Sequence, residues 1–197
     1  MTTLDYQENP TRSPTNRFFY RLNIIALYLI VALLLAAFYF EFARGELPCP
    51  LCNLQRVALC AMGFGVILNL KLGLTPRHYG AILLAAVAGF VFAGRQVLLH
   101  IIPGTGSYGS PFLGLNYYTW NAIIFFAAFV LTGLVLLSNA QFEPPRHRRL
   151  TGLALVAVIL MIAVTAANAV TTFLECGFQI CPDPPTSFEL LDPSDAS

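Results

Sequence analysis

Five long apolar stretches constrain this chain more than any other feature of its sequence. They run over residues 22–40, 54–70, 79–102, 112–137 and 150–174. The first is about 19 residues long, enough for a helix to cross a hydrocarbon core of about 30 Å. The second and third each carry an arginine close to one end, where such a side chain can snorkel to the headgroups. The sequence therefore predicts five transmembrane helices.

Composition supports this interpretation and excludes several classes of protein. The chain is 57% hydrophobic and 11% charged, whereas a soluble domain carries about 25% charged residues. Its net charge of +1 provides no basic field to attract nucleic acid. A soluble globular enzyme, a disordered protein and a nucleic-acid binder are therefore excluded. The expected fold is an all-α integral membrane protein in the lipid bilayer, with a four-helix transmembrane bundle and a fifth transmembrane helix.

The basic residues predict the orientation of these helices. Eight of the eleven lie in the N-terminal arm, the loop between helices two and three, or the loop between helices four and five. They are Arg12, Arg17, Arg21, Lys71, Arg77, Arg146, Arg148 and Arg149. Because cytoplasmic loops are enriched in lysine and arginine, the N-terminus is predicted inside and the C-terminus outside.

The predicted spans divide the chain into five parts. A cytoplasmic arm, 1–21, precedes a four-helix membrane domain, 22–140. A cytoplasmic loop, 141–149, leads to the fifth helix, 150–174, and then to an outer tail, 175–197. The first apolar run exceeds the length of a signal-peptide core, so we expect it to remain as an anchor.

Four of the five cysteines form two close pairs on the predicted outer face. Cys49 and Cys52 lie between helices one and two, and Cys176 and Cys181 lie just beyond helix five. Two pairs on one oxidising face predict thiol–disulfide chemistry. Cys60, inside helix two, is expected to pack as a small apolar residue.

The first pair has the local setting of a reactive thiol. Cys49 is placed to cap helix two, and Pro50 to be its first residue. Cys52 then lies in the first turn, where free N–H groups and the helix dipole favour a thiolate. Arg56, one turn later on the same face, can stabilise that thiolate and donate hydrogen bonds to the carbonyl of a lipophilic electron acceptor.

Simpler interpretations of these residues remain open at this stage. The four outer cysteines could form a zinc staple, since both spacings suit zinc. Both pairs could also be inert structural disulfides. Arg56 taken alone could be a snorkelling side chain, and His100, near the outer end of helix three, an interfacial histidine.

Three segments resemble the DsbB family of bacterial disulfide-bond formation proteins. The most specific is the run Pro48-Cys49-Pro50-Leu51-Cys52-Asn53-Leu54-Gln55-Arg56, directly after a first membrane helix. The others are Gly94-Arg95-Gln96-Val97, and Phe112-Leu113-Gly114-Leu115 followed by Trp120. The resemblance covers about residues 17–140.

This resemblance implies a quinone-dependent thiol oxidase of the bacterial inner membrane. Such a protein-disulfide oxidoreductase reoxidises a periplasmic DsbA-like thioredoxin-fold oxidase and passes the electrons to ubiquinone or menaquinone in the membrane pool. Cys49 and Cys52 match the quinone-coupled pair, and Arg56 the residue that holds the quinone. Arg95 and His100 are further candidates for cofactor binding, and no metal site is expected.

The chain departs from the family in its second cysteine pair. That pair normally lies in the outer loop between helices three and four, but here the loop, about residues 103–111, contains no cysteine. Cys176 and Cys181 are expected to replace it as catalytic residues. Two alternatives stay open: a non-catalytic membrane scaffold stapled by zinc or disulfides, and a quinone reductase that runs the reaction backwards.

Overall fold

The structure is a computed structural model, and the part of the chain that it describes contains five α-helices. It describes residues 14–102, 111–142, 144, 147–179, 181, 183, 185 and 187–191. The helices are α1 (Pro14–Arg44), α2 (Pro50–Leu72), α3 (Pro76–Leu99), α4 (Tyr117–Leu136) and α5 (Gly152–Cys176). All five are long and apolar enough to cross a membrane. The predicted all-α transmembrane fold is confirmed.

The helix starts follow local sequence signals. Cys49 is the N-cap of α2 with Pro50 as the first helical residue, as predicted, and Thr75 is the N-cap of α3 with Pro76 as its first residue. Helix α1 begins at Pro14, so it includes part of the predicted arm, and residues 1–13 lie outside the described residues.

The fourth helix starts later than its apolar stretch predicts. Phe112 and Leu115 form a tight turn in which each backbone N–H donates to the carbonyl of the other, at 2.8 and 3.1 Å. Gly114 in this turn has a φ of 79°, which glycine adopts without steric cost. The predicted segment 112–137 therefore combines a turn with a helix that begins at Tyr117.

Helix α2 lies at the centre of the bundle. It packs against α1, α3 and α5, and α3 packs in turn against α4. The shared core includes Leu27, Leu34, Leu59, Met62 and Met161. The outward faces are also apolar, since Leu29, Leu84, Leu131 and Ile162 are exposed. Such faces are suited to lipid and not to water.

Neighbouring helices alternate in direction, so the bundle has two chemically distinct ends. At the basic end, the backbone N–H of Arg148 donates to the Lys71 carbonyl at 2.7 Å, and the Asn16 amide donates to the Gln141 carbonyl at 2.8 Å. The opposite end holds the start of α2 and the end of α5. Both cysteine pairs therefore lie at the same end of the bundle, as predicted.

The described part of the tail folds back onto the end of α5. Gly177, with a φ of 59°, stops the helix. Later in the tail, the Leu190 N–H donates to the Leu174 carbonyl at 3.1 Å, which satisfies a free carbonyl of the last turn. Phe188 stacks on Phe42 of α1, with ring centroids 6.4 Å apart. The tail thus holds the second cysteine pair close to the helical bundle.

Candidate active site

The first cysteine pair is a disulfide at the N-terminus of α2. Cys49 and Cys52 are bonded, with Cα atoms 4.9 Å apart. The Cys49 sulfur also caps the helix by accepting the backbone N–H of Cys52 at 3.1 Å. Cys49 is buried, whereas Cys52 is half-buried and lines a cavity. The two sulfurs of this disulfide therefore differ in their exposure to the cavity.

Three amide side chains lead from α4 to this disulfide, and we call Asn121, Gln55 and Gln96 the amide relay. Asn121 donates to the Gln55 oxygen at 2.7 Å, and Gln55 donates to the Gln96 oxygen at 2.7 Å. The Gln96 Nε2 then lies 3.1 Å from the Cys49 sulfur and 3.5 Å from the Cys52 sulfur. Gln55 and Gln96 are both fully buried. The sulfurs thus have a polar neighbour, although the surrounding core is apolar.

Arg56 is buried and paired instead of reaching the headgroups. Its Nη1 forms an ion pair with Glu41 of α1 at 2.5 Å, and its Nη2 donates to the Ala37 carbonyl at 3.3 Å. The guanidinium also lies 5.6 Å from the centre of the Phe38 ring. The snorkelling interpretation of Arg56 is therefore wrong. Arg56 and Cys52 line the same cavity, but the side-chain hydrogen bonds to the sulfurs come from Gln96.

This cavity has a volume of about 410 Å³ and opens between α1, α2 and α4. Its lining is mostly apolar and aromatic, with a few polar side chains that converge near Cys52. The lining residues include Leu33, Ala36, Phe40, Cys52, Gln55, Arg56, Leu59, Gln96, Tyr117, Tyr118, Trp120, Asn121 and Ile124. Sites for small lipophilic ligands share this size and composition.

Two other predicted cofactor-binding residues lie elsewhere. Arg95 is exposed, and His100 caps α3 with its Nδ1 2.9 Å from the Gln96 carbonyl. Neither is among the residues that line the cavity in the described part of the chain. Each helical residue is rotated by about 100° from the one before it, so when Gln96 faces inward Arg95 points outward. Their roles in cofactor binding remain predictions.

The second pair, Cys176 and Cys181, is also a disulfide. Cys176 is buried at the end of α5, and Cys181 is half-buried in the tail. The Asn53 amide donates to the Glu175 carboxylate at 3.0 Å and so links the residues next to the two disulfides. Because zinc binds thiolates and not disulfides, this pairing does not fit a zinc staple.

Sequence reasoning missed several residues at this site, although a signal existed for one of them. Gln96 continues a stripe of buried residues along α3 at helical spacing, formed by Ile82, Ala86, Gly89 and Ala93. A polar residue at the end of such a stripe is expected to face the interior. For Glu41 and Glu175, no comparable sequence pattern predicts which neighbour they meet.

Comparison with known proteins identifies the family. The family model described as "Disulfide bond formation protein DsbB" matches residues 19–107. Disulfide bond formation protein B of Marinobacter nauticus is 32% identical in an alignment that covers 56% of this chain and 88% of that protein.

Further relatives carry the same name. The protein of Xylella fastidiosa is 29% identical over 57% of this chain and 86% of its own length. That of Pseudomonas syringae pv. tomato is 39% identical over 43% of this chain and half of its own length. No solved structure matches the chain significantly. With five membrane-spanning helices and cysteine pairs at one end of the bundle, the chain belongs to the DsbB family of bacterial multi-pass membrane proteins for disulfide bond formation.

Proposed function

We propose that this protein is a quinone-dependent protein-thiol oxidase that reoxidises a DsbA-like thioredoxin-fold partner. The observation that carries the proposal is the cavity beside Cys52. Cys52 lines an apolar cavity within the predicted membrane region. A lipophilic electron carrier can enter such a cavity and exchange electrons with the disulfide, whereas a water-soluble carrier cannot. The family assignment supports disulfide formation as the direction of the reaction.

The residues of the cavity suit a quinone, ubiquinone or menaquinone. A quinone needs an apolar slot for its ring and hydrogen-bond donors for its carbonyl oxygens, and when bound it supplies a two-electron, two-proton acceptor. Tyr117, Tyr118 and Trp120 provide aromatic walls. Arg56 provides the donors, because its guanidinium has five N–H groups and the contacts with Glu41 and Ala37 use two of them.

The tail disulfide receives the electrons of the partner first in this proposal. A partner thiolate attacks one sulfur of Cys176–Cys181, forms a mixed disulfide and releases the other sulfur as a thiolate, which takes up a proton. The partner's second thiolate then breaks the mixed disulfide. The products are an oxidised partner and the reduced Cys176–Cys181 dithiol. We assign the attacked sulfur to Cys181, because it is less buried than Cys176.

Exchange between the two pairs follows the same chemistry. A tail thiolate attacks the Cys49–Cys52 disulfide, an inter-pair disulfide forms, and one sulfur of the first pair leaves as a thiolate. The second tail thiolate restores Cys176–Cys181 and leaves Cys49 and Cys52 as a dithiol. The Asn53–Glu175 hydrogen bond supports this step, because it keeps the segments that carry the two pairs together.

Orientation completes the proposal. The basic end of the bundle, with Arg17, Lys71 and Arg148, would face the cytoplasm of the bacterial inner membrane. Both disulfides would then lie at the periplasmic side, where disulfides persist and where a soluble thiol partner can reach Cys181.

Reconstituted protein tests this function. Purified protein is mixed with a quinone and an excess of a reduced thioredoxin-fold oxidase, and quinone absorbance is followed. The wild type is expected to reduce the quinone in a thiol-dependent way, and Cys52→Ala to reduce none. Cys60→Ala is the matched control, because Cys60 is a cysteine of the same helix outside both disulfides, and it should retain the full rate. Full activity of Cys52→Ala would contradict the proposal.

A further inference from the structure

Every hydrogen bond of the amide relay runs the same way, from the amide nitrogen of one residue to the acceptor of the next, and the last acceptors are the sulfurs of Cys49 and Cys52. An amide presents two donor hydrogens on nitrogen and an acceptor oxygen, and the two ends must be assigned from their partners. Here the Gln96 oxygen accepts from Gln55, and the Gln55 oxygen accepts from Asn121. The Gln96 nitrogen is therefore the end that faces Cys49 and Cys52.

The opposite assignment would leave the oxidised pair without a hydrogen bond from Gln96, and only the backbone N–H of Cys52 would still donate to the Cys49 sulfur. Disulfide sulfurs carry no hydrogen, so a Gln96 oxygen turned toward them would find no donor there. That oxygen would be buried and unsatisfied, because Gln96 has no exposed surface. Reversal would also require Gln55 and Asn121 to rotate with it. The relay thus fixes the donor end of Gln96 on the disulfide.

One Gln96 nitrogen can serve both sulfurs. Its two hydrogens lie within reach of Cys49 at 3.1 Å and Cys52 at 3.5 Å. Sulfur in a disulfide is a weak acceptor, whereas a thiolate is a full negative charge, and hydrogen bonds to charged groups are about twice as strong as neutral ones. The contact therefore becomes stronger when exchange places charge on either sulfur. The low dielectric of this core further increases the difference in hydrogen-bond strength between the thiolate and the disulfide.

We propose that Gln96 is a catalytic residue that stabilises the thiolate formed at the Cys49–Cys52 pair, and that Gln55 and Asn121 are positioning residues that keep its N–H groups aimed at the sulfurs. The inference rests on the proposed function, since it assigns Gln96 to the step in which this pair carries charge. It adds a second source of thiolate stabilisation to the first turn of α2. Arg56, held by Glu41, is then available to the cavity and is not needed at the sulfur.

Alkylation of the reduced full-length protein tests the proposal without quinone or partner. Only thiolates react with iodoacetamide, so the rate at each cysteine, resolved by peptide mass spectrometry, reports its thiolate fraction. On the acidic side of the wild-type alkylation–pH profile, where the measured thiolate fraction is small, Gln96→Leu is expected to slow alkylation of Cys49 and Cys52 about tenfold, the loss of one charge-assisted hydrogen bond. On the alkaline plateau of the same profile, where a further rise in pH no longer changes the rate, the wild-type and variant rates should converge.

Two controls separate this effect from general damage to the fold. The rates at Cys176 and Cys181 should be unchanged in the same samples. Gln141→Leu removes a buried glutamine at the opposite end of the bundle and should leave all four rates unchanged. If Gln96→Leu does not fold, Gln55→Met tests the same claim, because the loss of its donor frees Gln96 to rotate and should slow alkylation in the same direction.

The outcomes distinguish this inference from the proposed function. Slower alkylation of Cys49 and Cys52 in the variants supports the role of Gln96 even if quinone reduction fails, in which case only the proposed function is overturned. Unchanged alkylation in both Gln96→Leu and Gln55→Met overturns the inference even if quinone reduction proceeds normally.

Discussion

A buried ion pair determines where the guanidinium of Arg56 lies. Glu41 on α1 and Arg56 on α2 are both almost fully buried and contact each other directly. A charge in a membrane interior is costly unless it has a partner, so neither residue is expected to keep its position without the other. Glu41 thereby joins α1 to α2 and holds Arg56 at the wall of the cavity.

Removal of one partner should cost more than removal of both. Glu41→Gln is expected to lower the free energy of unfolding by about 3–5 kcal/mol, because it leaves the Arg56 charge buried and unpaired. The double variant Glu41→Gln with Arg56→Met should recover part of this loss, and unfolding in detergent is measured for both single variants and for the double variant. A double variant that is destabilised by the sum of the single effects would contradict a direct charge pair.

Close contact between α3 and α4 depends on a glycine. A Cβ atom at Gly89 would overlap the ring of Phe125, whereas one at Gly80, in the same helix, would meet nothing within 4 Å. Phe125 is itself fully buried. This contact sets the distance between α3 and α4, the helices that carry Gln96 and Asn121. It therefore helps to hold the two ends of the amide relay at the right separation.

Alanine substitutions at Gly89 and Gly80 should distinguish the effect of close packing on stability from the effect of helix propensity. Gly89→Ala is expected to destabilise the protein by about 1–3 kcal/mol through overpacking. Gly80→Ala should be neutral or stabilising by up to about 1 kcal/mol, because alanine favours the helix. Thermal unfolding of both variants checks this, and Phe125→Leu should partly rescue Gly89→Ala. Equal effects of the two alanines would show that no close contact exists.

The helices were predictable from sequence because their signals are local. Apolar length predicts each span, and the Cys49-Pro50 pair marks a helix start that the structure confirms. The later start of α4 at Tyr117 depends on a turn whose residues are as apolar as the helix. Apolar content alone therefore cannot distinguish the turn from the first residues of the helix.

The polar contacts of the site were not predictable, because they depend on how the helices face one another. The α2 signals identify Cys49, Cys52 and Arg56, but the pairing of Arg56 with Glu41 requires the packing of α1 against α2. The contact of Gln96 with the sulfurs likewise depends on the rotation of α3. One step along that helix separates Gln96 from Arg95, which the sequence had favoured.

At the scale of the whole molecule, α5 and the tail add a second disulfide to the part of the chain that the family model matches. The family match ends at residue 107, and Cys176 and Cys181 lie far beyond it in sequence. Packing of α5 against α1 and α2 nevertheless brings this pair to the end of the bundle that holds Cys49 and Cys52. We infer that the two disulfides act in series, with the tail pair in the place of the missing loop cysteines.

Trapping the disulfide between the two pairs tests this claim most directly. Four full-length variants, each with Cys60→Ala, retain one cysteine of each pair, and non-reduced peptides are analysed by mass spectrometry after mild oxidation. A control chain that retains only Cys60 and Cys181 should form no intramolecular disulfide. A rapid intramolecular disulfide between the pairs is expected in at least one of the four variants. Its absence from all four would contradict electron transfer between the tail and Cys49–Cys52.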